Sequence, residues 1–144
     1  MITSINHMSF TVSNVDASVR FYHELLGLEI VSVAERSPEF SARATGIPGA
    51  HLKIAYLKMG NCAVELVQYL SGQGKRIDTT TSNVGSAHIC FTVSRFHGMV
   101  QRLREKGVRF VSEPAEIPAG PNKGRHMVYL KDPDGNTLEF IEVD

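Results

Sequence analysis

Two six-residue runs, His7-Met8-Ser9-Phe10-Thr11-Val12 and His88-Ile89-Cys90-Phe91-Thr92-Val93, share His, Phe, Thr and Val at a spacing of 81 residues. Such a repeat constrains the fold more than any single motif, because each copy must form the same supersecondary unit. A second match fixes the register: Val64-Glu65-Leu66-Val67 aligns with Leu138-Glu139-Phe140-Ile141 at a spacing of 74. In both halves an acidic residue interrupts an otherwise apolar run.

Each His-containing run is followed by a helical pattern and three strand patterns. The first helix is expected over residues 15–26, capped by Asp16 and closed by Gly27, with Val15, Val19, Tyr22 and Leu26 on one face. The second follows Ser94 as cap and stops at Gly107, with Phe96, Val100 and Leu103 sharing a face. Strands are expected over 29–34, 52–58 and 63–69, then over 109–112, 126–130 and 137–143. Met59-Gly60-Asn61 and Asp132-Pro133-Asp134-Gly135-Asn136 suit the intervening turns. Residues 71–85, rich in Gly, Ser and Thr, read as a linker. The prediction is an α+β fold of two βαβββ modules, about 4–70 and 85–144, forming a cupped mixed β-sheet as one domain over 1–144.

Strand side chains alternate between faces. Met8, Phe10 and Val12 suit the helix side, which turns His7 to the other face. The same parity places His88 opposite Ile89, Phe91 and Val93. Val64 and Leu66, and Leu138 and Phe140, suit the helix side, so Glu65 and Glu139 join the histidines. One strand histidine is commonly structural and one strand glutamate commonly solvated. Two of each at equivalent repeat positions point to a metal site of His7, Glu65, His88 and Glu139. Two imidazoles and two carboxylates suit Zn, Ni, Co, Mn or Fe(II), and a divalent ion offsets the cost of burying two carboxylates together.

Bulk properties exclude other classes. Fifteen basic residues balance fifteen acidic ones among 144, which leaves no basic field for nucleic acid or anionic lipid. No apolar run approaches a membrane span, and residues 1–10 have neither a basic start nor an apolar signal core. A cytoplasmic location is expected. Cys62 and Cys90 do not make a disulfide framework; two reduced, half-buried thiols are expected, with their pairing left open.

Taken together, Ile5-Asn6-His7, the run Ser18-Val19-Arg20-Phe21-Tyr22-His23-Glu24-Leu25-Leu26-Gly27, Gly85-Ser86-Ala87-His88 and Asp132-Pro133-Asp134-Gly135-Asn136-Thr137-Leu138-Glu139 resemble the vicinal oxygen chelate superfamily. That superfamily includes glyoxalase I, methylmalonyl-CoA epimerase, extradiol dioxygenases and the fosfomycin and bleomycin resistance proteins. The resemblance covers nearly the whole chain. It implies paired βαβββ modules around a divalent metal ion, with His7, Glu65, His88 and Glu139 at the ligand positions, open coordination positions for a small-molecule substrate, and a homodimer.

The resemblance also orders the chemistries. Extradiol dioxygenases hold Fe(II) with two His and one Glu, and Glu65 stands here as a fourth ligand. A fourth ligand at this place looks like glyoxalase I, which has Glu, or the epimerase, which has Gln. Those enzymes move a proton next to a metal-bound carbonyl of an oxo-acid, thioester or thiol conjugate, and Glu139 or Glu65 would be the base. Glyoxalase I commonly has a basic residue two before its Leu-Gly, where this chain has Glu24, which weakens glutathione as substrate. The dioxygenase alternative retains Tyr129, ten residues before Glu139, against a packed strand aromatic. The further alternative is a drug-binding resistance protein, which would lack the ligand set.

Two segments are candidates for substrate choice. Residues 35–50, carrying Arg36, Arg43, Pro38 and Pro48, are long for a connection, which suits either a functional lid or a disordered segment. Ala119-Gly120-Pro121-Asn122-Lys123-Gly124-Arg125 offers Lys123, Arg125 and backbone amides to a carboxylate or phosphate, against the plain reading of a solvated turn. Arg43, Lys123, Arg125 and Tyr129 are therefore the candidate substrate residues.

Overall fold

The computed structural model describes residues 1–143, so the final residue of the second expected module lies outside it. The chain divides into two compact units, Met1–Ile77 and Asp78–Asp144, with the boundary inside the expected linker. The first unit runs β1 (Met8–Thr11), α1 (Val15–Arg20), a π-helical turn (Phe21–Leu25), β2 (Glu29–Glu35), α2 (Pro38–Thr45), β3 (His51–Met59) and β4 (Cys62–Ser71). The second runs β5 (His88–Val93), α3 (Phe96–Glu105), β6 (Arg109–Phe110), β7 (Ala115–Glu116), β8 (His126–Lys131) and β9 (Thr137–Glu142).

Both sheets are mixed and follow one plan. The first has the order β1-β4-β3-β2 and the second β5-β9-β8-β6, with β7 also on β8. The His-bearing strand lies parallel to the Glu-bearing one in each, β1 to β4 and β5 to β9. This is the expected α+β architecture. The helices bury the faces that strand parity assigns to them. Val15, Tyr22, Leu57, Val64 and Leu66 are buried in the first unit, and Phe96, Val100, Leu103, Val128, Leu138 and Phe140 in the second.

Local details differ from the sequence expectation. Asn14, not Asp16, caps α1: its side chain accepts from the Ala17 N–H at 2.9 Å. Asp16 lies in the first turn instead and pairs with Lys53 at 2.8 Å. The helix then widens into the π turn, and Gly27 (φ 84°) reverses the chain where a side chain would be strained. Ser94 does not cap α3 either. Arg95 occupies that position in the left-handed region (φ 51°), with no side-chain cap.

The largest departure is residues 35–50, expected as a long loop. They contain α2, started by Ser37, whose Oγ accepts from the Phe40 N–H at 3.2 Å, with Pro38 in the first turn and Gly46 closing the end. Ser41 anchors α2 to β3: its buried hydroxyl donates to the Ser37 carbonyl at 2.8 Å and accepts from the Leu52 N–H at 3.2 Å. Ser37→Ala is expected to lower stability by about 1 kcal/mol, read as a shift in denaturant midpoint at constant slope.

The 71–85 stretch is also more than a spacer. Thr79 belongs to the second unit, where its Oγ1 donates to the Gly135 carbonyl at 2.6 Å and its carbonyl accepts from Lys131 Nζ at 3.0 Å. Among the described residues no helix is long and apolar enough to cross a membrane.

Candidate metal and proton-transfer site

The repeat produces two equivalent His–Glu–Tyr groups, one per unit. In the first, β1 and β4 pair with Met8 opposite Val64 and Ser9 opposite Glu65. Because Val64 and Leu66 are buried under the helix, Glu65 points to the other face. His7, just ahead of β1, places Nε2 at 3.4 Å from Glu65 Oε2. Tyr56 of β3 lies opposite Glu65, and its ring meets His7 edge-on at 5.5 Å. A hydrogen bond to Glu65, and then burial, raise the Tyr56 phenol above its ordinary pKa. It therefore stays protonated and donates to the carboxylate.

In the second unit Cys90 lies opposite Glu139 across β5–β9, and Tyr129 opposite Glu139 across β8–β9. His88 Nε2 stands 3.0 Å from Glu139 Oε2, and its ring meets Tyr129 edge-on at 5.3 Å. Burial, then the negative charge on Glu139, raise the Tyr129 phenol. Partial burial of the thiol, then Glu139, push Cys90 up to about 11. Cys62 and Cys90 are both free thiols on exposed residues, less covered than expected. In metal-stripped protein, alkylation of Cys90 at pH 8 should be about 100-fold slower than for a thiol of ordinary pKa. Mass-spectrometric labelling of the two cysteines reads this directly.

The structure thus joins the four predicted ligands as two pairs, His7 with Glu65 and His88 with Glu139. Tyr56, twin of Tyr129, is the member that the sequence reading missed. The donor set fits a divalent ion. Both glutamate side chains are mostly desolvated, at 13% and 12% exposed. Their partners are an imidazole each, the Tyr56 hydroxyl on Glu65 and the Cys90 thiol on Glu139, and none of these carries a fixed positive charge. Imidazole nitrogen with carboxylate oxygen is a borderline set that suits first-row divalent metals.

Glu139 also lines a cavity of about 440 Å³. Its walls are mainly apolar, from Ile117, Pro118, Pro121, Met127 and Ile141. That size falls within the range of small-molecule sites. Of the candidate substrate residues, Lys123 and Arg125 follow Asn122, which lines this cavity and accepts from Arg125 Nη1 at 3.2 Å. The amides of Lys123, Gly124 and Arg125 are bonded to carbonyls of Gly120, Ile117 and Asn122 within the β7–β8 connection. Arg43 is exposed in the last turn of α2.

Residues 4–140 match the Glyoxalase/Bleomycin resistance protein/Dioxygenase superfamily. The chain belongs to this superfamily. Such proteins typically use divalent metals. Its curated relatives include epimerases, lactoylglutathione lyases and a thiol transferase. The chain is 28% identical to a 2-epi-5-epi-valiolone epimerase of Actinomyces sp, over 97% of this chain and 79% of that protein. It is 28% identical to a metallothiol transferase of Staphylococcus epidermidis, over 96% and 81%. A glyoxalase family protein from Bacillus cereus has the same fold, with TM-score 0.82 at 23% identity over 99% of this chain and 95% of that one.

Proposed function

We propose that the chain is a divalent-metal-dependent isomerase or lyase. It would remove and return a proton beside the carbonyl of a small oxo-acid, thioester or thiol conjugate. His7, Glu65, His88 and Glu139 would hold the ion, each unit supplying one His–Glu pair. When bound, the ion supplies Lewis-acid polarisation of a carbonyl oxygen, which acidifies the neighbouring C–H.

The observation that carries the reading is Glu139: a buried carboxylate that is paired with His88 and also forms part of the wall of a substrate-sized apolar cavity. Glu139 takes the proton as the C–H bond breaks and an O–H bond forms, then returns it to the same or the adjacent carbon. Ile117, Met127 and Ile141 keep water from that proton. Glu65, hydrogen-bonded by Tyr56, is the less available base. Glu24 is exposed where glyoxalase I commonly has a basic residue, so a substrate without the glutathione carboxylate fits better.

The test loads the full chain with Zn, Ni, Co or Mn and incubates it in D₂O with 2-oxo-acid, acyl-thioester and hemithioacetal panels. Metal-dependent deuterium uptake at the carbon beside the carbonyl is expected. Loaded protein that leaves every panel unexchanged contradicts the proposal, and oxygen uptake on catechols with Fe(II) would replace it with ring cleavage.

A further inference from the structure

A second His/Glu group lies on the helix side of the second sheet, and the proton transfer above does not use it. His126 opens β8, Glu142 ends β9 and His97 sits in the first turn of α3. The β8–β9 register, with Met127 opposite Ile141 and Val128 opposite Phe140, brings His126 across from Glu142. Strand alternation puts these two on the face of buried Val128 and Phe140, whereas Tyr129 and Glu139 take the opposite face. The two groups are therefore separated by the sheet itself.

The geometry is that of a chelating set. Glu142 Oε2 accepts from His126 Nδ1 at 2.8 Å and from the His126 backbone N–H at 3.0 Å. The His97 ring meets the His126 ring edge-on at 4.9 Å. One ligand-type atom from each of the three residues lies within 4.8 Å of the others. A surface ion pair accounts for His126 and Glu142. It does not account for a second imidazole presented to that pair by a separate helix. His97 and His126 also line a cleft of about 470 Å³ shared with Val100, Gln101, Arg104 and Pro114.

We propose that His97, His126 and Glu142 form a second divalent-cation site, suited to Zn(II), Ni(II) or Cu(II), on the helix side of the second unit. Two imidazoles and one carboxylate are the borderline donors these ions take. Ligand atoms around such an ion lie about 2.0–2.2 Å from it. The three groups must therefore close in by an ångström or so, which rotation of the exposed His97 side chain allows. The cation takes the place between His126 and Glu142, and the neutral His126 imidazole keeps its one proton on the ring nitrogen that the ion does not use. The remaining coordination positions face the cleft.

The test is calorimetric titration of chelator-stripped full-length chain with Zn(II), alongside His97→Ala, Glu142→Gln and His88→Ala. His97 is exposed, so His97→Ala should keep the metal-free unfolding midpoint. Loss of one Zn(II) equivalent in His97→Ala and in Glu142→Gln, kept in His88→Ala, is expected. The His97 and His126 imidazole resonances should shift as Zn(II) is added. Unchanged stoichiometry in both His97→Ala and Glu142→Gln, with unmoved resonances, overturns the proposal. Failure of the four-residue site would instead remove the equivalent that depends on His88 and leave this one in place.

Discussion

Glu139→Gln is expected to reduce turnover by about 10²–10⁴-fold, the usual contribution of a positioned general base. The substitution preserves volume and keeps an oxygen available to His88, so β9 and its core contacts should survive. What disappears is the negative charge and the basicity. The contrasting variant is Glu65→Gln. Glu65 already receives the Tyr56 hydroxyl, and an amide oxygen can serve in its place as a ligand. Its turnover should fall far less at saturating metal. Steady-state exchange rates measured with bound metal quantified in the same samples separate the two roles. Equal losses in the two variants would remove Glu139 from the role of base.

Phe140→Ala should cost about 3–5 kcal/mol, the range for emptying a buried aromatic site. Phe140 is 1% exposed, sits opposite Val128, and meets Phe91 edge-on at 6.3 Å. Against a total stability of about 5–15 kcal/mol, this leaves a marginal fold. The effect should extend to the site, because Phe140 directly follows Glu139 on β9, the strand that packs on α3. Phe40 on α2, 45% exposed, supplies the control: Phe40→Ala should cost under about 1 kcal/mol. Denaturant unfolding of both variants reads the difference, and a small shift for Phe140→Ala would show that the second core does not depend on this ring.

The repeat made most of the frame legible. Alternation along four strands was enough to place His7, Glu65, His88 and Glu139 on the faces where the structure has them, because one face of each strand is buried and a one-residue slip would invert it. Tyr56 escaped because the two hairpins differ. Met59 pairs with Cys62 across a tight turn, whereas Lys131 pairs with Thr137 across a longer loop. The partner of each glutamate therefore lies nine residues upstream in one unit and ten in the other, which breaks a search at fixed spacing. Helix α2 was hidden by two prolines and two glycines in a short segment; its signal was Ser37-Pro38 at the start and Gly46 at the end. The caps failed for a local reason: a side-chain acceptor one or two residues away competed successfully at Asn14, and a left-handed residue replaced the cap at Arg95. His97, His126 and Glu142 meet only through the β8–β9 register and the docking of α3, which no local spacing encodes.

The proposed ion would be shared by His7, Glu65, His88 and Glu139. Its most direct measurement is metal content and affinity in His7→Ala and His88→Ala, each made in a His97→Ala background so that the helix-side group does not contribute. One ion per chain is expected in the background protein, with loss of that ion from either substitution alone. Two ions per chain, or a site that survives loss of one unit's histidine untouched, would contradict it.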